Sequence, residues 1–258
     1  MAHLGGLISQ LDPRIDNQAV QGLAGTPNSL AYITEETEHH FHSPLQIYGL
    51  TANTMARKST SPIIVTGGTN AWGTEIEIHN GTVIEGGSAS KMFDMNTLFV
   101  SAVSATNNVT YLEFYQNTLA AGIAATTQAA GDTLTKNGHG LANGTRIQLN
   151  SIVTSTGIDT FTIYYVVGTA LNTFQLSLTL GGAAVNIQTG DGTCNYQVVT
   201  QALITESIVS KASATAEVFP RPMQMDRHPC NARISCRGWA TGAPNAISFF
   251  LGLHTYPS

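Results

Sequence analysis

Histidines and glutamates near the N-terminus form the one cluster with metal-ligand chemistry. Three histidines (His39, His40 and His42) lie close to Glu35 and Glu38. On a helix, one face would hold both glutamates, His39 and His42, so a zinc or nickel site is geometrically possible. No HExxH or similarly demanding spacing is present. We therefore favour a polar helix face or an interface, and we expect no metal and no cofactor.

Two carboxylates further along the chain have the arrangement of a glycosidase pair. Glu75 and Glu77 alternate with Ile76 and Ile78. In a strand, the two carboxylates would share one face at roughly 7 Å. A solvated face at the edge of a sheet explains the same pattern, and we prefer it. Since the chain also lacks a nucleophile elbow, a P-loop and a dinucleotide-binding glycine pattern, we expect no enzyme.

An arginine-rich stretch follows near the C-terminus. It comprises Arg221, Arg227, Arg233 and Arg237. If residues 232–239 form a strand, Arg233, Ser235 and Arg237 share the face that points away from the core, while Ile234 and Cys236 point inward. The arginines could contact an acidic partner, or they could pair within the chain with Asp226 or the acidic strand 75–77. Both alternatives remain open.

Aromatic residues suggest two more surfaces. Tyr164, Tyr165 and Tyr196 could stack on a glycan, although core packing explains at least half of them. Residues 246–256 alternate so that Phe250, His254 and Tyr256 oppose an apolar face. A strand that is apolar or aromatic on both faces lies in a two-layer core or at a subunit contact.

The composition limits the fold and the partners. Only 10% of the 258 residues are charged, too few to cover the surface of a helical protein. The net charge of -5 argues against a cationic nucleic-acid binder, and no apolar run is long enough to span a membrane. The three cysteines are expected to be free thiols packed as small hydrophobic groups. We predict an all-β fold.

Turn signals divide the chain into parts. Residues 1–60 resemble an N-terminal arm, with a short helix from Asn28 or Ser29 toward His42. Residues 61–130 and 200–258 have the strand and turn pattern of one β-sandwich, and residues 131–199 have that of an inserted small β-domain. Asn80-Gly81 predicts a tight hairpin.

Several motifs resemble those of tailed-bacteriophage virion proteins. HGLANG, YYVV and NTFQLSLT, all within residues 139–179, resemble a β-module spliced into phage tail and capsid-surface proteins. VTYLEFYQN and ISFFLGLHTY, at 109–117 and 247–256, resemble strands of jelly-roll capsid decoration (cement) proteins.

The resemblance implies a jelly-roll homotrimer, made in the host cytoplasm, that binds the major capsid protein on the outer surface of the virion. Candidate capsid or subunit contacts are then Arg221, Arg227, Arg237, Phe250, His254 and Tyr256. The alternative is a tail-associated or host-attachment protein that binds cell-surface glycan through Tyr164, Tyr165 and Tyr196 of the inserted domain.

Overall fold

Strands make up all the regular secondary structure of the residues that the computed structural model describes, which are 45–84, 87–106, 108–189, 191–210, 221–223 and 225–256. The predicted all-β fold is confirmed for these residues, and the predicted helix before residue 43 lies outside them. None of the described residues belongs to a helix that could cross a membrane.

The strands are β1 (Gln46–Thr51), β2 (Thr54–Arg57), β3 (Ile63–Thr69), β4 (Ala71–Trp72), β5 (Glu75–Asn80), β6 (Met92–Val103), β7 (Val109–Leu119), β8 (Ile123–Gln128), β9 (Thr133–Thr135), β10 (Arg146–Val153), β11 (Thr162–Val167), β12 (Thr173–Ser177), β13 (Gly192–Ser210), β14 (Arg221–Pro222), β15 (His228–Pro229), β16 (Arg233–Ala240) and β17 (Asn245–Tyr256).

Two groups of strands enclose the larger hydrophobic core. In one group, β7 lies between β13 and β16, and β16 also pairs with β5 and with β3. In the other, β17 lies between β6 on one side and β3 and β1 on the other. Phe114 of the first group meets Phe249 of the second edge to face, with ring centroids 6.0 Å apart. Fully burying such a side chain contributes roughly 1.5–3 kcal/mol.

Six strands form a closed ring around a second core. The antiparallel pairings run from β8 to β9, β12, β11, β10 and β13, and then back to β8. Apolar side chains fill the interior, among them Leu149, Phe174 and Tyr196, and the last two rings meet edge to face at 5.4 Å. Closure leaves these strands without a free edge.

The ring and the larger core share a strand. The first residues of β13 pair with β8 and β10, whereas residues from Val199 onward pair with β7. The ring also begins at Ile123, ahead of the predicted boundary at 131. In addition, β11 pairs with β5 through Thr162 and Ile163. The ring is therefore held against the larger core along two strands.

Two local predictions differ from the structure. Within the predicted arm, Gln46–Thr51 and Thr54–Arg57 are strands, because Tyr48 and Met55 are buried in the larger core and β1 pairs with β17. The prediction of a tight hairpin at Asn80-Gly81 is also wrong. Gly81 has the positive φ of a turn, at 82°, but the next strand begins only at Met92. The neighbours of β5 are instead β16 and β11.

Candidate functional site

A cluster of buried polar side chains lies where the ring meets the larger core. It includes two glutamates of β5, and its other members come from β7, β10, β11, β13 and β16. Alternation along β5 places both glutamates on one face, as predicted. Side chains of the ring strand β10 cover that face, because Gln148 bonds to Glu77 and Arg146 lies close to Glu75.

Glu75 is completely buried and has partners on three strands. Its Oε1 accepts a hydrogen bond of 2.6 Å from Ser235 Oγ and another from Gln201 Nε2. The Nε of Arg146 lies 3.8 Å from Glu75 Oε2. Glu75 therefore joins β5 to strands β10, β13 and β16.

Glu77 is 4% exposed and forms an ion pair. Arg233 Nη2 lies 2.7 Å from Glu77 Oε1, and Gln148 Nε2 donates to Glu77 Oε2 at 2.9 Å. Burial raises the pKa of Glu77 above its ordinary value, while the charge of Arg233 and the Gln148 hydrogen bond act in the opposite direction. The predicted solvated face is thus wrong for both glutamates.

A second ion pair lies beside the first on the same sheet face. Arg237 donates from Nε to Glu113 Oε2 at 2.8 Å, and its Nη1 donates to Tyr165 Oη at 3.1 Å. The guanidinium also stacks 4.2 Å above the Trp72 ring. Tyr115 hydrogen-bonds to Glu113, and burial, followed by this bond, raises the pKa of Tyr115.

Hydrogen bonds and ion pairs of this cluster connect neighbouring strands. Each carboxylate of Glu75, Glu77 and Glu113 has a basic side chain within 4 Å. Leaving a buried charge unpaired is costly, so the network favours the register that pairs these groups. A hydrolytic carboxylate pair has to face a substrate cleft. In the structure, Glu75 and Glu77 instead face neighbouring strands and are covered by the ring.

The predicted contact residues near the C-terminus differ in exposure. Arg221 donates to the carbonyl oxygens of Ile208 and Ser210, and the Arg227 guanidinium lies 4.0 Å above the Tyr256 ring. Tyr256 is buried and donates to Asp94 Oδ2 at 2.6 Å. His254 Nδ1 lies 3.4 Å from Asp94 Oδ1, and Phe250 is partly exposed.

For Arg233 and Arg237, the structure decides between contact with an acidic partner and pairing within the chain. The shared face of Arg233, Ser235 and Arg237 is confirmed by their side-chain contacts with Glu77, Glu75 and Glu113, respectively. Arg233 pairs with the acidic strand 75–77, as one alternative held, and Arg237 pairs with Glu113. As candidate capsid contacts, Arg237 and Tyr256 need correction, because the Arg237 side chain is only 12% exposed and Tyr256 is 6% exposed.

The three candidate glycan contacts are not surface residues. Tyr164, Tyr165 and Tyr196 are 1%, 2% and 0% exposed. Tyr164 and Tyr196 belong to the ring interior, and Tyr165 belongs to the polar junction. Their rings are therefore not available to stack on a sugar, and core packing is the correct alternative.

Sequence reasoning missed a surface pocket beside the junction. Its lining consists of Trp72, Tyr111, Leu112, Glu113, Glu206 and Trp239, and its volume is about 340 Å³. These residues come from β4, β7, β13 and β16, which are far apart in sequence. The pairing of β7 with both β13 and β16 brings the residues of those three strands together, and a hydrogen bond from Gly73 N to Gly238 O holds the end of β4 beside β16.

The predicted metal cluster cannot be compared with the structure, whereas the predicted free thiols can. The predicted cluster of His39, His40, His42, Glu35 and Glu38 lies outside the described residues. Within the described ranges, no three potential ligands form a metal-binding group. The predicted free thiols are confirmed, since all three cysteines are free and buried. Burial raises the pKa of the Cys194 thiol to about 11.

A scan against protein families, a search of curated proteins and a search of solved structures each found no match to the chain.

Proposed function

We propose that the chain is a structural virion protein of a tailed bacteriophage, which decorates and stabilises the outer capsid surface as a homotrimer. In this proposal the larger core is a jelly-roll-type sandwich, and the ring is an inserted small β-domain. The motifs within residues 109–117, 139–179 and 247–256 support the assignment by resemblance. The major capsid protein and further copies of the chain are the partners.

An apolar surface on the outer side of β17 carries the proposal. We call it the β17 face and define it by Leu45, Ile47, Ile64, Phe99 and Phe250. Ile64 is 53% exposed, and Leu45 and Ile47 are also exposed. Phe250 pairs across the strands with Phe99, and a Cβ added at Gly252 would lie 3.1 Å from both Leu45 Cδ1 and Phe99 Cε2.

Such a surface favours burial against protein. Contiguous exposed apolar patches on soluble proteins commonly mark interaction sites. The candidate contact Phe250 lies within the β17 face, and His254 lies further along the same side of β17. A closed trimer fits the local three-fold positions of an icosahedral shell and could bury this face between copies or against the capsid.

The charge distribution is consistent with this function. Several of the few charged side chains are used inside the chain, in the pairs Glu77–Arg233 and Glu113–Arg237. Both pairs join strands of the larger core, and hydrogen bonds from Gln148 to Glu77 and from Arg237 to Tyr165 connect them to the ring. A cement protein must keep its shape while it bears load on a shell, which is what a cross-linked β-scaffold provides.

Binding to capsids that lack the protein tests the proposal. The purified protein should have about three times the 27.3 kDa chain mass in solution, bind such capsids, and raise the temperature at which they release DNA. Ile64→Glu on the β17 face should weaken capsid binding or trimerisation at least tenfold. Val153→Glu, at an equally exposed apolar position on β10, is the matched control and should have little effect. Failure of the wild-type protein to bind capsids refutes the proposal.

Labelling the protein in the phage particle distinguishes a capsid location from a tail location. Leu171 is 81% exposed at the turn between β11 and β12, and the native thiols are buried, so Leu171→Cys can be biotinylated selectively. Streptavidin bound to phage carrying this variant should appear over the head in electron micrographs. Label confined to the tail would favour the tail-associated alternative.

A further inference from the structure

The pocket between β4, β7, β13 and β16 has the composition of a cation site. Trp72, Tyr111 and Trp239 supply aromatic rings, and Glu113 and Glu206 supply carboxylates. The Tyr111 and Trp239 rings meet edge to face at 5.6 Å. Aromatic faces attract cations, and most strongly where a carboxylate lies beside them.

The chain itself contains an example of this chemistry next to the pocket. The Arg237 guanidinium lies 4.2 Å above the Trp72 ring while it donates to Glu113. A ring and a carboxylate on this sheet face therefore already hold one guanidinium. On the neighbouring strands, Tyr111, Trp239 and Glu206 repeat the same pair of groups.

Glu206 differs from Glu113 in having no cation partner among the described residues. It is exposed on β13 and lies directly opposite Glu113 in the register of β13 and β7. Like charges at directly opposed positions destabilise a pair of strands. Arg237 pairs with Glu113, and no cation among the described residues pairs with Glu206, so the pocket attracts a second positive group.

We propose that this pocket binds an arginine side chain of a partner protein, with the guanidinium on Glu206 and against the rings of Tyr111 and Trp239. The planar guanidinium suits this combination because it can stack on a ring and donate to a carboxylate at the same time. Exposed Ile208, which pairs with Tyr111, would contact an apolar neighbour of that arginine. The site goes beyond the proposed function and does not depend on it.

Tryptophan fluorescence offers a direct readout, because the only two tryptophans of the chain both line the pocket. The purified full chain is titrated with Nα-acetyl-arginine amide and, as a neutral analogue of the same shape, with Nα-acetyl-citrulline amide. We expect a saturable change with a millimolar midpoint for arginine only. Raising the salt to about 0.5 M should weaken it, since exposed charges are screened.

Matched variants identify the carboxylate. Glu206→Gln should weaken arginine binding about three- to tenfold with an unchanged melting temperature, in line with the modest energies of exposed cation sites. Asp191→Asn removes the same charge from an exposed position on the ring and should leave binding unchanged. The proposal is overturned if citrulline binds as well as arginine or if Glu206→Gln has no effect. It is also overturned if the sugar maltose, titrated in the same way, changes the fluorescence and arginine does not. None of these outcomes bears on capsid binding.

Discussion

Removal of the Arg233 charge should destabilise the fold in a pH-dependent way. Arg233→Met keeps much of the apolar stem but leaves Glu77 buried without its ion-pair partner. Breaking a buried pair on one side costs roughly 3–5 kcal/mol, and because the Arg233 side chain is 30% exposed we expect about 2–3 kcal/mol at neutral pH. For a chain of this size, that lowers the melting temperature by roughly 5–10 °C.

The sign of the pH effect follows from the Glu77 pKa. Burial raises the pKa of Glu77 in the folded state above the ordinary value of 4.5. Its contribution to stability is then full below about pH 4.5 and is lost as the pH rises through the folded pKa. Arg233 opposes this rise, so Arg233→Met raises the pKa further. The destabilisation should be smallest near pH 4.5 and grow toward neutrality.

Thermal unfolding followed by circular dichroism between pH 4.5 and 7.5 measures the effect. The double variant Glu77→Gln/Arg233→Met removes the buried charge as well and should recover most of the stability lost at pH 7.5. Both variants lack Arg233, so its small influence on the His79 pKa cancels between them. A double variant no more stable than Arg233→Met at pH 7.5, or a loss independent of pH, would refute the reasoning.

Three further predictions concern other parts of the fold. Burial lowers the pKa of His79, so its contribution to stability is complete above the ordinary value of 6.5 and lost as the pH falls through the folded pKa; His79→Gln should flatten the acid side of a stability profile measured by urea unfolding. Gly157 has φ of +84° and a Cβ there would lie 2.2 Å from Asn186 O, so Gly157→Ala should cost about 2–3 kcal/mol in thermal unfolding, whereas Gly138→Ala, with positive φ but open space, should cost about 1 kcal/mol. The three buried thiols should not react with Ellman's reagent in the native protein and all three should react in guanidinium, and fast native labelling would contradict their burial.

Local patterns predicted the strands of the junction but not their surroundings. The two-residue alternation placed Arg233 and Arg237 on one face of β16, and the acidic strand 75–77 was one of the partners considered for them. The burial of Glu75 and Glu77 was missed. It depends on contacts such as Gln148–Glu77 and Ser235–Glu75, whose partners lie 71 and 160 positions apart.

The same distinction applies to the aromatic residues. A tyrosine on a short polar-flanked strand suits a core and a ligand surface equally well by sequence, so Tyr164, Tyr165 and Tyr196 could not be assigned to either. Closure of the six-strand ring decided the outcome, because it turned Tyr164 and Tyr196 inward. The pocket of Trp72, Tyr111 and Trp239 likewise exists only through strand pairing.

The sequence by itself determined the all-β class, the buried free thiols and which residues share a face of β5 and of β16, since these follow from composition and from the two-residue period of a strand. Only the tertiary structure decided that β11 lies beside β5, that β13 runs through both cores, and that the carboxylates of β5 are covered and paired with arginine. The physical reason is that a strand's period specifies its faces, whereas its neighbours are chosen by the packing of the whole chain.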